Sequence, residues 1–206
     1  MYNALTCNDN GLSFKNIWKG KAPYKVMIFM WLLANDAILT KDDLLKRNWQ
    51  GDPTCFFCND NETISHLFFA CPTARVIWAV VAKCFGANNI PTNLSQCWKW
   101  CDQWFPGGKA FHIWGVAAIC WSIWKSRNRV CFEGKKVQSP LAIICQACAL
   151  MKFWTGLCKE ADREELIEGV NIMLKVAKQI LADQQQAGGL KENMDGSRLK
   201  AKDHSA

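Results

Sequence analysis

Four residues within one window have the types and spacing to hold a metal ion. Cys55-Phe-Phe-Cys58, His66 and Cys71 form a Cys-x2-Cys-x7-His-x4-Cys arrangement. Two cysteines separated by two residues grip one ion from a tight turn, and a His and a Cys from the next element complete a tetrahedron, at about 2.3 Å for sulfur and 2.0 Å for nitrogen. A catalytic zinc keeps a position open for water, whereas four protein ligands close the shell. The expected cofactor is therefore a structural Zn2+ that contributes folding free energy. The competing reading is four ordinary core residues spaced this way by chance. Against it stand the polar loop Asn59 to Glu62, as an exposed knuckle requires, and the scarcity of histidine, which besides His66 occurs only as His112 and His204.

A second group could bind phosphate. Lys125-Ser-Arg127-Asn-Arg129 followed by Lys135-Lys136 places five positive charges in twelve residues against one acid, Glu133. Contacts to a nucleic-acid backbone from such a segment give salt-dependent, weakly sequence-selective binding. The alternative is a set of solvated cations closing a helix against the negative end of its dipole. Lys15, Lys19, Lys21 and Lys25 around Trp18 form a weaker basic cluster, read as a solvated face. Trp98-Lys-Trp100-x3-Trp104 has the look of a base-stacking platform, but its amphipathic setting favours core packing. His112 has no nucleophile and orienting acid around it, so no catalytic residue is assigned and the chain is read as a binding protein, not an enzyme.

Composition narrows the class. The 206 residues are 50% hydrophobic and carry a net charge of +7, enough to favour an anionic partner but far from a histone-like arm. Twelve cysteines would permit a disulfide framework, yet MYNALTCNDN lacks a secretory signal, so reduced thiols and a location inside the cell, nucleus or cytoplasm, are expected. The longest apolar stretch, 110–124, is shorter than the roughly 18–20 residues that cross a bilayer, so no membrane span is read.

The elements that must position these groups are nearly all helical. The apolar run 25–37, Thr40-x-x-Asp43 before Leu44, Pro72 with Gly86 beyond Phe85, the long run 110–132, and Ser139-Pro140 each mark a helix or its end. Leu166, Val170, Leu174, Ala177 and Leu181 recur at helical spacing behind Asp162-x-x-Glu165. The expected fold is mostly α: a helical zinc-binding domain over 1–105 with its knuckle at 54–72, then a helical C-terminal region over 109–186. Pro106-Gly107-Gly108 is the candidate boundary between them. The tail 187–206 has no apolar period and is expected to lack order.

Trp18, Lys21-x-Pro23-x-Lys25-Val26, Phe29-x-Trp31-Leu32-Leu33, Ile38-Leu39-Thr40-Lys41, Cys55-x2-Cys58, Glu62-Thr63, His66-Leu67-Phe68 and Cys71 together resemble the zinc-binding domain of plant LINE-type, non-LTR reverse transcriptases. The resemblance covers roughly residues 12–85 and extends more loosely through Ile123-Trp124-Lys125-x-Arg127-Asn128. It implies metal ligation by Cys55, Cys58, His66 and Cys71. The polymerase is not part of it: neither Tyr2 nor Tyr24 opens a Tyr-x-Asp-Asp loop, and the sole adjacent Asp pair, Asp42-Asp43, opens a helix.

Three functions follow as expectations. The leading one is a retrotransposon-derived zinc-binding module that associates with RNA or DNA and lacks polymerase activity. The second is a zinc-stabilised scaffold whose aromatic helices dock a protein partner or another copy of the chain. The third is a decayed element fragment without a selected role.

Overall fold

Proline, glycine and small polar caps set most of the helix boundaries. Pro23 leads into α1 (Tyr24–Ala34), and Thr40 opens the short α2 (Lys41–Lys46), whose first turn carries Asp42 and Asp43 at the positive end of the helix dipole. Pro72 begins α3 (Pro72–Phe85), which Gly86 ends in the left-handed conformation at φ 68°, as a C-terminal glycine should. The Asn93 side chain accepts the Gln96 amide at 2.8 Å and caps α4 (Leu94–Trp104). Then come α5 (Lys109–Glu133) and α6 (Pro140–Trp154), where Ser139 Oγ accepts the Ala142 amide at 3.2 Å. A 3-10 turn at Thr155–Leu157 links it to α7 (Glu160–Asp203). This computed structural model describes residues 22–106 and 109–203, without the side chains of 109, 110, 161, 181 and 184–203. Lys15, Trp18, Lys19 and Lys21 lie outside the described residues.

The fold is all-helical apart from one antiparallel bridge, Thr54 to Asn61, the sole β pairing among the described residues. One continuous core joins the chain on both sides of 106–108: α3 packs on α6 and α7, and α1 and α4 on α5. Trp78 sits fully buried at its centre, stacked on Phe69 at 5.6 Å and donating its indole N–H to the Phe68 carbonyl at 2.8 Å. Trp98 and Trp100 are buried and Trp104 is half-buried against the same core, so the tryptophan trio is core material and not a stacking platform. In α7 the buried positions are Leu166, Val170, Met173 and Ala177; of the expected stripe, Leu166, Val170 and Ala177 are buried, Leu174 is half-buried with Met173 taking the buried place beside it, and the side chain of Leu181 lies outside the described ones.

The last two helices add two observations. The backbone of α7 is helical to Asp203. No proline follows Pro140 to stop it. In addition, Pro140–Leu157 is long and apolar enough to cross a membrane by length and composition alone. Its Ile143, Ile144, Ala147, Cys148, Met151 and Trp154 are buried, the pattern of a core helix.

Candidate metal centre and its support

The two halves of the metal cluster come from two different local structures. The first is a tight hairpin: Cys55 N–H donates to Asp60 O at 2.7 Å and Glu62 N–H to Pro53 O at 2.9 Å. At its tip the Phe57 amide points at Cys55 Sγ, 3.4 Å away. The second is a π-helical turn, His66–Ala70, closed by Cys71 N–H to His66 O at 2.7 Å. In an α-helix, residues five apart stand about 140° apart around the axis. The wider π turn brings His66 and Cys71 back toward one side, while Leu67, Phe68 and Phe69 remain buried in the core.

The four donor atoms of Cys55, Cys58, His66 and Cys71 all lie within 4.8 Å of one another. Cys58 and Cys71 sulfurs are 3.9 Å apart, close to the roughly 3.8 Å edge of a tetrahedron with zinc–sulfur bonds of about 2.3 Å. Cys58 Sγ and His66 Nε2 are closer, at 3.1 Å. Ligation through Nε2 directs the ring's other nitrogen away from the cluster. Three soft thiols and one imidazole, half of them buried, fit a closed structural zinc site.

The three thiols differ in their surroundings. Cys71 accepts the Cys55 S–H and faces the amides of Thr73 and Ala74 at the start of α3, which together hold its pKa below the ordinary value. Donation to Cys71, followed by burial, pushes Cys55 strongly upward. Burial raises Cys58 as well. Thiols bind zinc as thiolates, so metal binding at this cluster releases protons.

The knuckle is clamped from behind by a buried ion pair. Glu62, fully buried, receives Arg127 Nη2 at 2.7 Å and Nε at 3.1 Å on Oε1, and Nε also lies 3.1 Å from Oε2. The same carboxylate accepts the Lys41 backbone amide at 3.1 Å, which ties it to the first turn of α2. Lys41 is buried too. Its ammonium donates to the Thr54 carbonyl at 2.5 Å and sits 3.9 Å over the Phe56 ring. The metal hairpin, α2 and α5 therefore meet at one carboxylate.

This geometry corrects the phosphate-binding assignment of Arg127. The side chain is 2% exposed and its charge is matched by Glu62, so it is unavailable to a phosphate. Spacing alone placed it beside Lys125 and Arg129, and the acid that neutralises it lies 65 residues upstream. The remaining members differ. Lys125 and Arg129 are partly exposed, and Lys135 and Lys136 are exposed. Gly134, at φ 61°, turns the chain at the end of α5, and the Lys135 amide donates to Arg129 O at 3.2 Å. Ser126 Oγ donates to Gln138 Oε1 at 2.7 Å, so residues 134–138 run back along the last turns of the helix. The fold-back sets Lys135 beside Arg129, a proximity that charge counting did not contain.

Elsewhere, His112 Nε2–H donates to the Phe105 carbonyl at 2.7 Å, and Nδ1 lies 3.7 Å from exposed Asp102. It is a structural link between α4 and α5. Of the Cys145-x2-Cys148 pair, Cys148 is buried and Cys145 exposed.

A Cys3His cluster closed between a hairpin and a π turn defines a small structural metal knuckle in a helical protein. Residues 1–78, which contain all four donors, match the family described as zinc-binding in reverse transcriptase. A protein of Arabidopsis thaliana named as a ribonuclease H protein is 31% identical over 86 residues, which cover 39% of this chain and 14% of that protein. The chain therefore aligns with a small part of that relative's length. No solved structure matches. The family match agrees with the resemblance read from the residues and extends across the whole ligand set.

Proposed function

We propose that the chain is a retroelement-derived zinc-binding module that associates with RNA or DNA and acts by binding, without a polymerase activity of its own. Cys55, Cys58, His66 and Cys71 hold one structural zinc, and the phosphate contacts fall to Lys125, Arg129, Lys135 and Lys136. The observation that carries this reading is the basic fold-back at 125–138, anchored to the knuckle through Arg127 and Glu62. The Glu62–Arg127 pair ties the helix that carries these charges to the metal hairpin. The name of the Arabidopsis relative supports a nucleic-acid context, and free thiols throughout the described residues support a place inside the cell, nucleus or cytoplasm.

Filter binding of RNA and DNA across a salt series tests it. Four phosphate contacts give a slope of log affinity on log salt of about −3, or a loss of about 50- to 150-fold between 50 and 200 mM salt. Replacing Lys125, Arg129, Lys135 and Lys136 by Ala should flatten that slope. Absence of binding at low salt, or an unchanged slope in the variant, would refute the reading. It would favour instead the docking scaffold, for which the exposed Phe153 of α6 and Leu157 of the turn after it are the supporting surface.

A further inference from the structure

One aromatic side chain stands in water inside the basic fold-back. Phe132, in the last turn of α5, is 76% exposed. It lies three residues from Arg129 and directly before the Gly134 turn that returns Lys135 and Lys136 along the same helix. Val137, on the returning segment, is also exposed. Trp98 and Trp100, read above against a base-stacking role, are buried. Glu133 sits 4.0 Å from Arg129 at the surface, a weak exposed pair that leaves the cation accessible.

We infer that Phe132 is a stacking face for one unpaired base of a single-stranded nucleic acid whose phosphates are met by Arg129, Lys135 and Lys136. The inference rests on the nucleic-acid reading above and narrows it to single strands. An aromatic ring beside a row of cations offers both halves of single-strand recognition: a π face for the base and charge for the backbone. In a duplex the base faces are already covered by their neighbours, so the ring has nothing to stack on and only the cations act. An exposed Phe contributes little to the packed core, so its replacement leaves the fold in place.

Fluorescence of single-stranded RNA and DNA oligonucleotides carrying one 2-aminopurine reports stacking directly. Wild-type protein should quench it on binding. Phe132→Ala should lose the quench and weaken single-strand binding by about 5- to 150-fold, while changing duplex affinity by less than twofold. Phe132→Trp should restore both quench and affinity. Lys135→Ala/Lys136→Ala should weaken single strands and duplexes alike. If Phe132→Ala binds single strands as wild type does while the lysine variant is impaired, the stacking assignment is overturned and the nucleic-acid reading stands. If wild type binds neither strand form, both fall together.

Discussion

Removing Arg127 tests how the knuckle and the long helix depend on each other. Arg127→Met deletes the guanidinium but keeps an unbranched chain of similar reach. It leaves the Glu62 carboxylate fully buried with the Lys41 amide as its remaining partner. Breaking a buried, hydrogen-bonded pair from one side costs about 3–5 kcal/mol, because the surviving charge keeps its desolvation penalty. In a protein of about 200 residues each kcal/mol moves the melting temperature by about 2–4 °C, so a fall of about 6–20 °C is expected. Glu62→Gln should produce a loss of the same order, since it strands the guanidinium. Combining the two should cost clearly less than the sum of the single losses, as coupled neighbours do. Lys125→Ala, on the same helix but partly exposed, should stay within about 0.5 kcal/mol of wild type. The assay is urea unfolding followed by circular dichroism, with zinc content measured on each variant. Arg127→Met within about 1 kcal/mol of wild type, or strictly additive losses in the double variant, would refute the reasoning.

Two further outcomes follow from the core. Gly115 and Gly169 lie within α5 and α7, and a Cβ added at either would meet nothing within 4 Å. Both face an apolar cavity of about 100 Å3 whose walls include Trp78, Phe85, Trp100 and Met173. Replacing either by Ala should stabilise the protein by about 0.5–1 kcal/mol in urea unfolding, and a loss of stability would contradict the open space seen there. Burial pushes the Cys148 thiol from its ordinary 9.0 up to about 12. The folded state then binds more protons than the unfolded state between those values. Stability from this group is complete below pH 9 and falls as pH rises from 9 toward 12, with a limiting slope of about 1.4 kcal/mol per pH unit. Cys148→Ala should flatten the decline in unfolding midpoint between pH 9 and 10, and a decline identical in both proteins would count against the assignment.

Much of the architecture was legible because local signals and tertiary packing agree. Pro72 and Gly86 bound α3 where the residues place its ends, Ser139 caps α6 through its hydroxyl, and the stripe from Leu166 to Ala177 is the buried face of α7. The four metal donors were equally readable, since thiolate and imidazole ligands are drawn from few residue types at restricted spacings. What spacing could not supply was long-range pairing. Arg127 reads as one cation in a basic run until the fold brings Glu62 against it. Glu62-Thr63 and Arg127-Asn128 are both among the motifs that carry the family resemblance, and that shared membership was the available signal. The π turn at His66–Ala70 was likewise invisible, because nothing in His-Leu-Phe-Phe-Ala distinguishes it from an α turn. The fold-back after Gly134 depends on Lys135 meeting the Arg129 carbonyl, a contact whose geometry no charge count contains.

X-ray absorption at the zinc edge of the purified full chain addresses the metal centre most directly. One zinc per chain is expected, with a first shell of three sulfurs at about 2.3 Å and one nitrogen at about 2.0 Å. Cys58→Ser should lose the metal or replace one sulfur by a lighter donor. A shell of oxygen and nitrogen alone, or a metal-free protein whose helical content matches the zinc-loaded form, would contradict a structural zinc held by Cys55, Cys58, His66 and Cys71.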